Sequence, residues 1–151
     1  MGKGTTGMSY RIITLTEVER RIGRWVGKLR QEEAERMGLE DKYGFEGDPL
    51  ACHINGAMGE MASARCLGVY WPPSVNTFKD PDLFCDLQVK TRSSHSYDLF
   101  VRPNDKMHYA FVCATGEDGV YRVHGGLWGH EAARDEYRQT YGGRPEAFFV
   151  P

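Results

Sequence analysis

A chain of 151 residues, 40% hydrophobic and 26% charged, has the size and composition of one globular domain with a single core, not of a disordered protein. Its formal net charge of −2 excludes a globally basic nucleic-acid binder, so contact with a polyanion must come from a local patch. No apolar run is long enough to cross a membrane, and no charged n-region leads into an apolar h-region, so a cytoplasmic protein with no membrane partner is expected.

Residues 1–10 are rich in Gly, Thr and Ser and read as a loose leader; residues 11–151 read as one domain. Thr16-Glu17-Val18-Glu19 fits a capping box that opens a first helix. Val18, Ile22, Trp25 and Leu29 follow at helical spacing and predict its core stripe, with Gly38 as the stop. Arg20, Arg24 and Lys28 fall four apart on another face, which can track a phosphate backbone or simply be solvated.

Asp48 as N-cap and Pro49 at the first position predict a second helix to Leu67, ended by Gly68 and the Pro72-Pro73 pair. Its residues Gly56, Ala57, Gly59, Ala62, Ser63 and Ala64 are small, which suits close approach to a sheet, and Ile54, Met58 and Met61 form its greasy side. Glu60 sits among the small residues, either as a surface group or as a functional carboxylate held near the sheet. Strands are expected near 76–79, 86–92, 98–102, 109–115 and 120–124, with a hairpin turn at Gly116-Glu117-Asp118-Gly119. A short helix at 127–139 and a strand at 147–150 complete one α/β or α+β domain. Because no helix is evident after Lys90, the short loops imply either an antiparallel meander there or a helix without a clear sequence signal. Cys52, Cys66, Cys85 and Cys113 are scattered, without a Cys-x-x-Cys pair or a neighbouring His at ligand spacing, and read as buried reduced thiols.

The most informative stretch is Lys79 to Thr91. In an extended conformation Asp86, Gln88, Lys90 and Arg92 share one face, while Leu87, Val89 and Thr91 share an apolar, β-branched face suited to a core. Polar groups on a buried strand are costly unless they pair with each other or with a ligand. Phosphodiester hydrolysis needs oxygen ligands for Mg²⁺, a metal-activated water, and a cation beside the phosphate. Asp82, Gln88 and the Val89 carbonyl are candidate ligands, with Asp86 two residues before Gln88 on the same face. Lys90 is the candidate cation, and Glu60 a further carboxylate from the preceding helix. Arg92 and Ser93 follow directly, where they can touch DNA phosphates. The plainer alternative is an exposed strand face on which Lys pairs with Asp.

Glu60 on a small-residue helix, then Pro81-Asp82, then Gln88-Val89-Lys90 resembles the PD-(D/E)XK nuclease superfamily. Within it the chain is most similar to small phage-encoded, Holliday-junction-resolvase-like endonucleases. The resemblance implies a restriction-endonuclease-like core, a central mixed sheet of about five strands packed by the N-terminal helices. It also implies a DNA substrate, Mg²⁺ or Mn²⁺ as cofactor, and a homodimer by analogy with enzymes that cut two strands. Asp82 takes the place of the principal metal ligand, Lys90 that of the group contacting water or phosphate, and Glu60 that of the helix carboxylate. Gln88 stands where the superfamily most often has Glu or Asp, and an amide binds Mg²⁺ more weakly. The competing expectation is therefore an inactive nuclease-fold protein that binds nucleic acid or a host partner.

Overall fold

A computed structural model describes residues 10–38, 48–75, 82–83, 87–97, 99–102, 109–139 and 147–151. A short strand, β1 (Arg11–Thr14), leads into α1 (Glu17–Arg36). The capping box forms as the sequence indicates: the Glu19 N–H donates to the Thr16 hydroxyl at 3.2 Å, and the Thr16 N–H to the Glu19 carboxylate at 2.9 Å. The helix ends at Met37, and Gly38 takes the left-handed conformation with φ +65.

The expected core stripe of α1 is wrong. Val18 is 66% exposed, Trp25 64% and Ile22 40%, while the buried face is Gly23, Val26 and Gly27. Close backbone contact decides this. A Cβ on Gly27 would stand 2.5 Å from the Ile54 Cα, so only glycine lets α1 and α2 (Pro49–Leu67) approach so nearly. Gly27→Ala is therefore expected to cost about 3 kcal/mol, the upper part of the usual overpacking range, because backbone rather than a flexible side chain stands in the way. Urea unfolding measures it; a loss below about 0.5 kcal/mol, within the range of ordinary surface substitutions, would contradict the close packing.

The second helix matches its sequence signals, with Asp48 accepting from the Leu50 N–H at 3.0 Å, Pro49 first, and Gly68 closing at φ +69. Gly59 has the predicted reason to be small, since a Cβ there would meet the Thr91 hydroxyl oxygen at 2.0 Å. Gly56 faces open space and nothing in the structure explains it.

Two sheets follow. The first has the order β1, β5 (Val120–Trp128), β4 (Ala110–Glu117), β2 (Leu87–Arg92); the second has β3 (Leu99–Val101), β7 (Ala147–Val150), β6 (Arg138–Gln139). β4 and β5 form the expected hairpin, turning at Asp118 and Gly119, both at positive φ. β2 and β4 are parallel, which corrects the expected meander: the connection passes through β3 of the second sheet, and among its described residues none is helical. The expected helix at 127–139 is reduced to α3 (Gly129–Ala132) and a 3-10 turn (Asp135–Tyr137), because β5 runs on to Trp128 and β6 begins at Arg138. β1 had no sequence signal beyond a four-residue run, and the strand expected at 76–79 lies outside the described residues.

The class is thus mixed α and β, with a four-stranded mixed sheet rather than five strands among the described residues. Met58, Met61 and Ala62 of α2 pack on Leu15, Val112, Tyr121 and Val123 on one face of that sheet. Phe111 and Cys113, on the opposite face of β4, pack on Leu99, Val101 and Phe148 of the second sheet. Of the three described cysteines only Cys113 is buried; Cys66 is half-buried, Cys52 is exposed, and Cys85 lies outside the described residues. No helix among the described residues is long and apolar enough to cross a membrane.

Candidate active site

Glu60 lies on α2 with only 6% of its surface exposed. It is not a surface residue. Arg30 of α1, on the same helix face as Gly23 and Gly27, grips both its oxygens: Nη1 donates to Oε2 at 2.6 Å and Nη2 to Oε1 at 3.0 Å. The Trp71 indole N–H donates to Oε1 at 3.2 Å, and Arg30 Nε donates to the Ser74 carbonyl at 2.9 Å. Burying a carboxylate this deeply is costly without such partners, and the planar guanidinium fork supplies two hydrogen bonds at once.

Asp82 reaches the same neighbourhood from the other side. Its Oδ2 accepts the Val89 N–H at 2.8 Å, and the Leu83 N–H donates to the Leu87 carbonyl at 2.9 Å. Residues 82 and 83 therefore run antiparallel along the outer side of β2, the edge strand of its sheet. In an extended strand a residue's N–H and C=O point the same way, so the Val89 carbonyl also opens toward the Asp82 side. Burial, and then the nearby charge of Glu60, push the Asp82 carboxyl up to about 7, against the opposing pull of the Val89 N–H, Arg30 and Lys90. Burial and the Arg30 charge hold His53 below its ordinary value.

The alternation expected for the motif strand holds. Val89 is buried with Ala64, Leu83 and Ala114, whereas Lys90 turns to the other face, its Nζ 5.4 Å from the Phe111 ring centroid. Gln88, opposite Phe111 in register, shares that face. Glu60 thus lies on the α2 side of the sheet and Gln88 with Lys90 on the other, with Asp82 between them beside the edge strand. Asp86 lies outside the described residues. Among the described residues, no three His, Cys, Asp or Glu side chains converge as a metal-holding group.

The predicted DNA-contact residues do not form one row. Arg24 and Lys28 are exposed, with Arg24 3.5 Å from Glu17, while Arg20 packs on the Gly119 turn. Arg92 stacks on Tyr97 at 4.9 Å, and Ser93 lies exposed in the following bend. Sequence reasoning missed Arg30 and Trp71. A signal for Arg30 existed, since it follows Gly23 and Gly27 at helical spacing. No family model, curated protein or solved structure matches this chain.

Proposed function

We propose that the protein is a Mg²⁺-dependent nuclease of the PD-(D/E)XK kind acting on DNA. The observation that carries this reading is Asp82: a buried carboxyl held against the outer side of the motif strand, beside a second buried carboxylate, with Lys90 in electrostatic reach. Burial and the neighbouring Glu60 make ionisation of Asp82 costly, and a divalent cation bound beside it would offset that cost. Asp82 and the Val89 carbonyl would hold the ion, with Gln88 and Asp86 as further oxygen donors. Bound there, Mg²⁺ would supply polarisation of the phosphate and a water of lowered pKa. Lys90 offsets charge growing on the phosphate and orients the attacking water. Glu60, fixed by Arg30 and Trp71, acts on Asp82 as a neighbouring charge that opposes its ionisation until a cation binds. A homodimer would provide one site for each strand of a duplex.

Supercoiled plasmid incubated with the protein and Mg²⁺ or Mn²⁺ is expected to be nicked, and to stay intact when EDTA replaces the ion. A second reading is favoured by one observation: Glu60 is already committed to Arg30, and Gln88 brings no charge. It is an inactive nuclease-fold protein that binds DNA or a partner, and it predicts retained binding with neither nicking nor stabilisation by Mn²⁺.

The raised Asp82 value fixes the sign of a pH effect. The unfolded chain releases this proton near pH 3.9 and the folded chain near 7, so across that window folding takes up protons and stability falls as pH rises. The cation needs the ionised carboxylate. Mn²⁺ should therefore stabilise the fold more above pH 8 than near pH 6, and above pH 8 a hundredfold excess over Kd adds roughly 2.7 kcal/mol in all. Asp82→Asn is expected to abolish the Mn²⁺ response at both pH values. Equal Mn²⁺ shifts in wild type and Asp82→Asn would remove Asp82 from the site.

A further inference from the structure

The four-stranded sheet carries α2 on one face, and the second sheet covers part of the other. Strand register assigns the rest of that second face. Ile12 pairs with Arg122, Arg122 with Thr115, and Thr115 with Arg92, so these four form one row across all four strands. The second sheet packs further down, on Phe111 and Cys113. The upper part stays open: Ile12 is 63% exposed, Tyr97 50% and Tyr10 38%.

Its chemistry is specific. The Arg122 guanidinium lies 4.6 Å from the Tyr10 ring centroid, and that of Arg92 lies 4.9 Å from the Tyr97 centroid. Between these pairs the buried Thr115 hydroxyl is 2.7 Å from His95 Nδ1 and 2.8 Å from His124 Nε2. A hydroxyl can donate to one imidazole nitrogen and accept from another, so Thr115 fixes both rings at the surface. The Tyr10 ring meets His124 edge-on at 5.6 Å. The carboxylate that the described strands place on this face is Glu117, at its hairpin end opposite Val120.

A merely solvated face needs no tyrosines and no isoleucine, and an apolar partner would leave two guanidiniums desolvated. Cations alternating with flat rings complement a chain of alternating phosphates and unpaired bases. We propose that this open half of the sheet binds a single strand of DNA, with phosphates at Arg92 and Arg122 and bases against Tyr10 and Tyr97. The inference stands apart from catalysis, since none of these four groups belongs to the acidic site. Lys90 lies two residues before Arg92 on the same strand face, roughly 7 Å away, so a strand bound here leads toward it.

The test is fluorescence anisotropy of a labelled single-stranded oligonucleotide with the full chain in EDTA, titrated over a range of salt. Tyr10→Ala is expected to weaken binding roughly tenfold through loss of a stacked base, and Tyr10→Phe to leave it unchanged. Arg122→Ala should weaken binding and reduce the log–log salt slope by about 0.7, the value for one phosphate contact on a single strand. Arg122→Lys should keep the slope and lose part of the affinity, and Arg36→Ala, on the exposed end of α1, should change neither. Circular dichroism confirms that each variant is folded. Unchanged affinity in Tyr10→Ala and Arg122→Ala would overturn the proposal, as would equal competition by a duplex of the same sequence or by inorganic polyphosphate. Lost plasmid nicking with strand binding intact would strike the nuclease reading alone, and the converse would strike only this one.

Discussion

Replacing Arg30 with methionine is expected to destabilise the fold by about 3–5 kcal/mol, the usual cost of stranding one member of a buried ion pair. Its side chain is 17% exposed and that of Glu60 8%, and they meet through two hydrogen bonds of 2.6 and 3.0 Å. Removing Arg30 leaves a carboxylate to which, among the described residues, only the Trp71 indole N–H still donates. In a domain of this size each kcal/mol moves the melting temperature by about 2–4 °C, so a fall near 10 °C or more is expected. The double variant Arg30→Met with Glu60→Met should recover most of the loss, because apolar side chains of similar volume carry no desolvation debt. A loss below about 1 kcal/mol for Arg30→Met alone would show that the pair is hydrated, like an ordinary surface pair. The same substitution also withdraws a charge that pulls Asp82 downward, so the Asp82 carboxyl should move further up and the response to Mn²⁺ should shift to higher pH.

What could be read from sequence here was local. The Thr16 and Glu19 capping box, the Asp48-Pro49 start and the Gly68 stop depend on residues a few positions apart, and all form as expected. The alternation of Leu87 to Arg92 is equally local, since a strand exposes alternate residues whatever its partners. The α1 stripe failed for a physical reason. Val18, Ile22 and Trp25 are the more hydrophobic face, but Gly23 and Gly27 let α2 come close, and backbone proximity outweighed side-chain hydrophobicity. Pairings between distant segments had no local signature. The parallel β2–β4 ladder, the Arg30 grip on Glu60 and the Thr115 link between His95 and His124 span long stretches of chain. Of the candidate site residues, Glu60 and Asp82 come close together while Gln88 and Lys90 turn to the other face of the sheet, a placement that depends on distant pairings and had no local signal. Glu60 also proved to be a carboxylate already held by a cation.

Lys90 is where the largest effect on activity is expected. It lies on the face of β2 away from Glu60, above the Phe111 ring, and still draws Asp82 downward. A preorganised cation at a developing phosphate charge in a poorly solvated site contributes on the order of 10²–10³ in rate. Lys90→Ala should thus lose nicking by at least that factor, while Lys90→Arg keeps the charge and retains part of it.

The most direct measurement compares wild type with Lys90→Ala on supercoiled plasmid in Mn²⁺, at equal concentrations of folded protein. Conversion to open circles by wild type, abolished by EDTA and reduced at least a hundredfold in Lys90→Ala, is the predicted result. Equal nicking by the two proteins, or none by wild type at any pH from 6 to 9 across the Asp82 titration near 7, would contradict the nuclease reading.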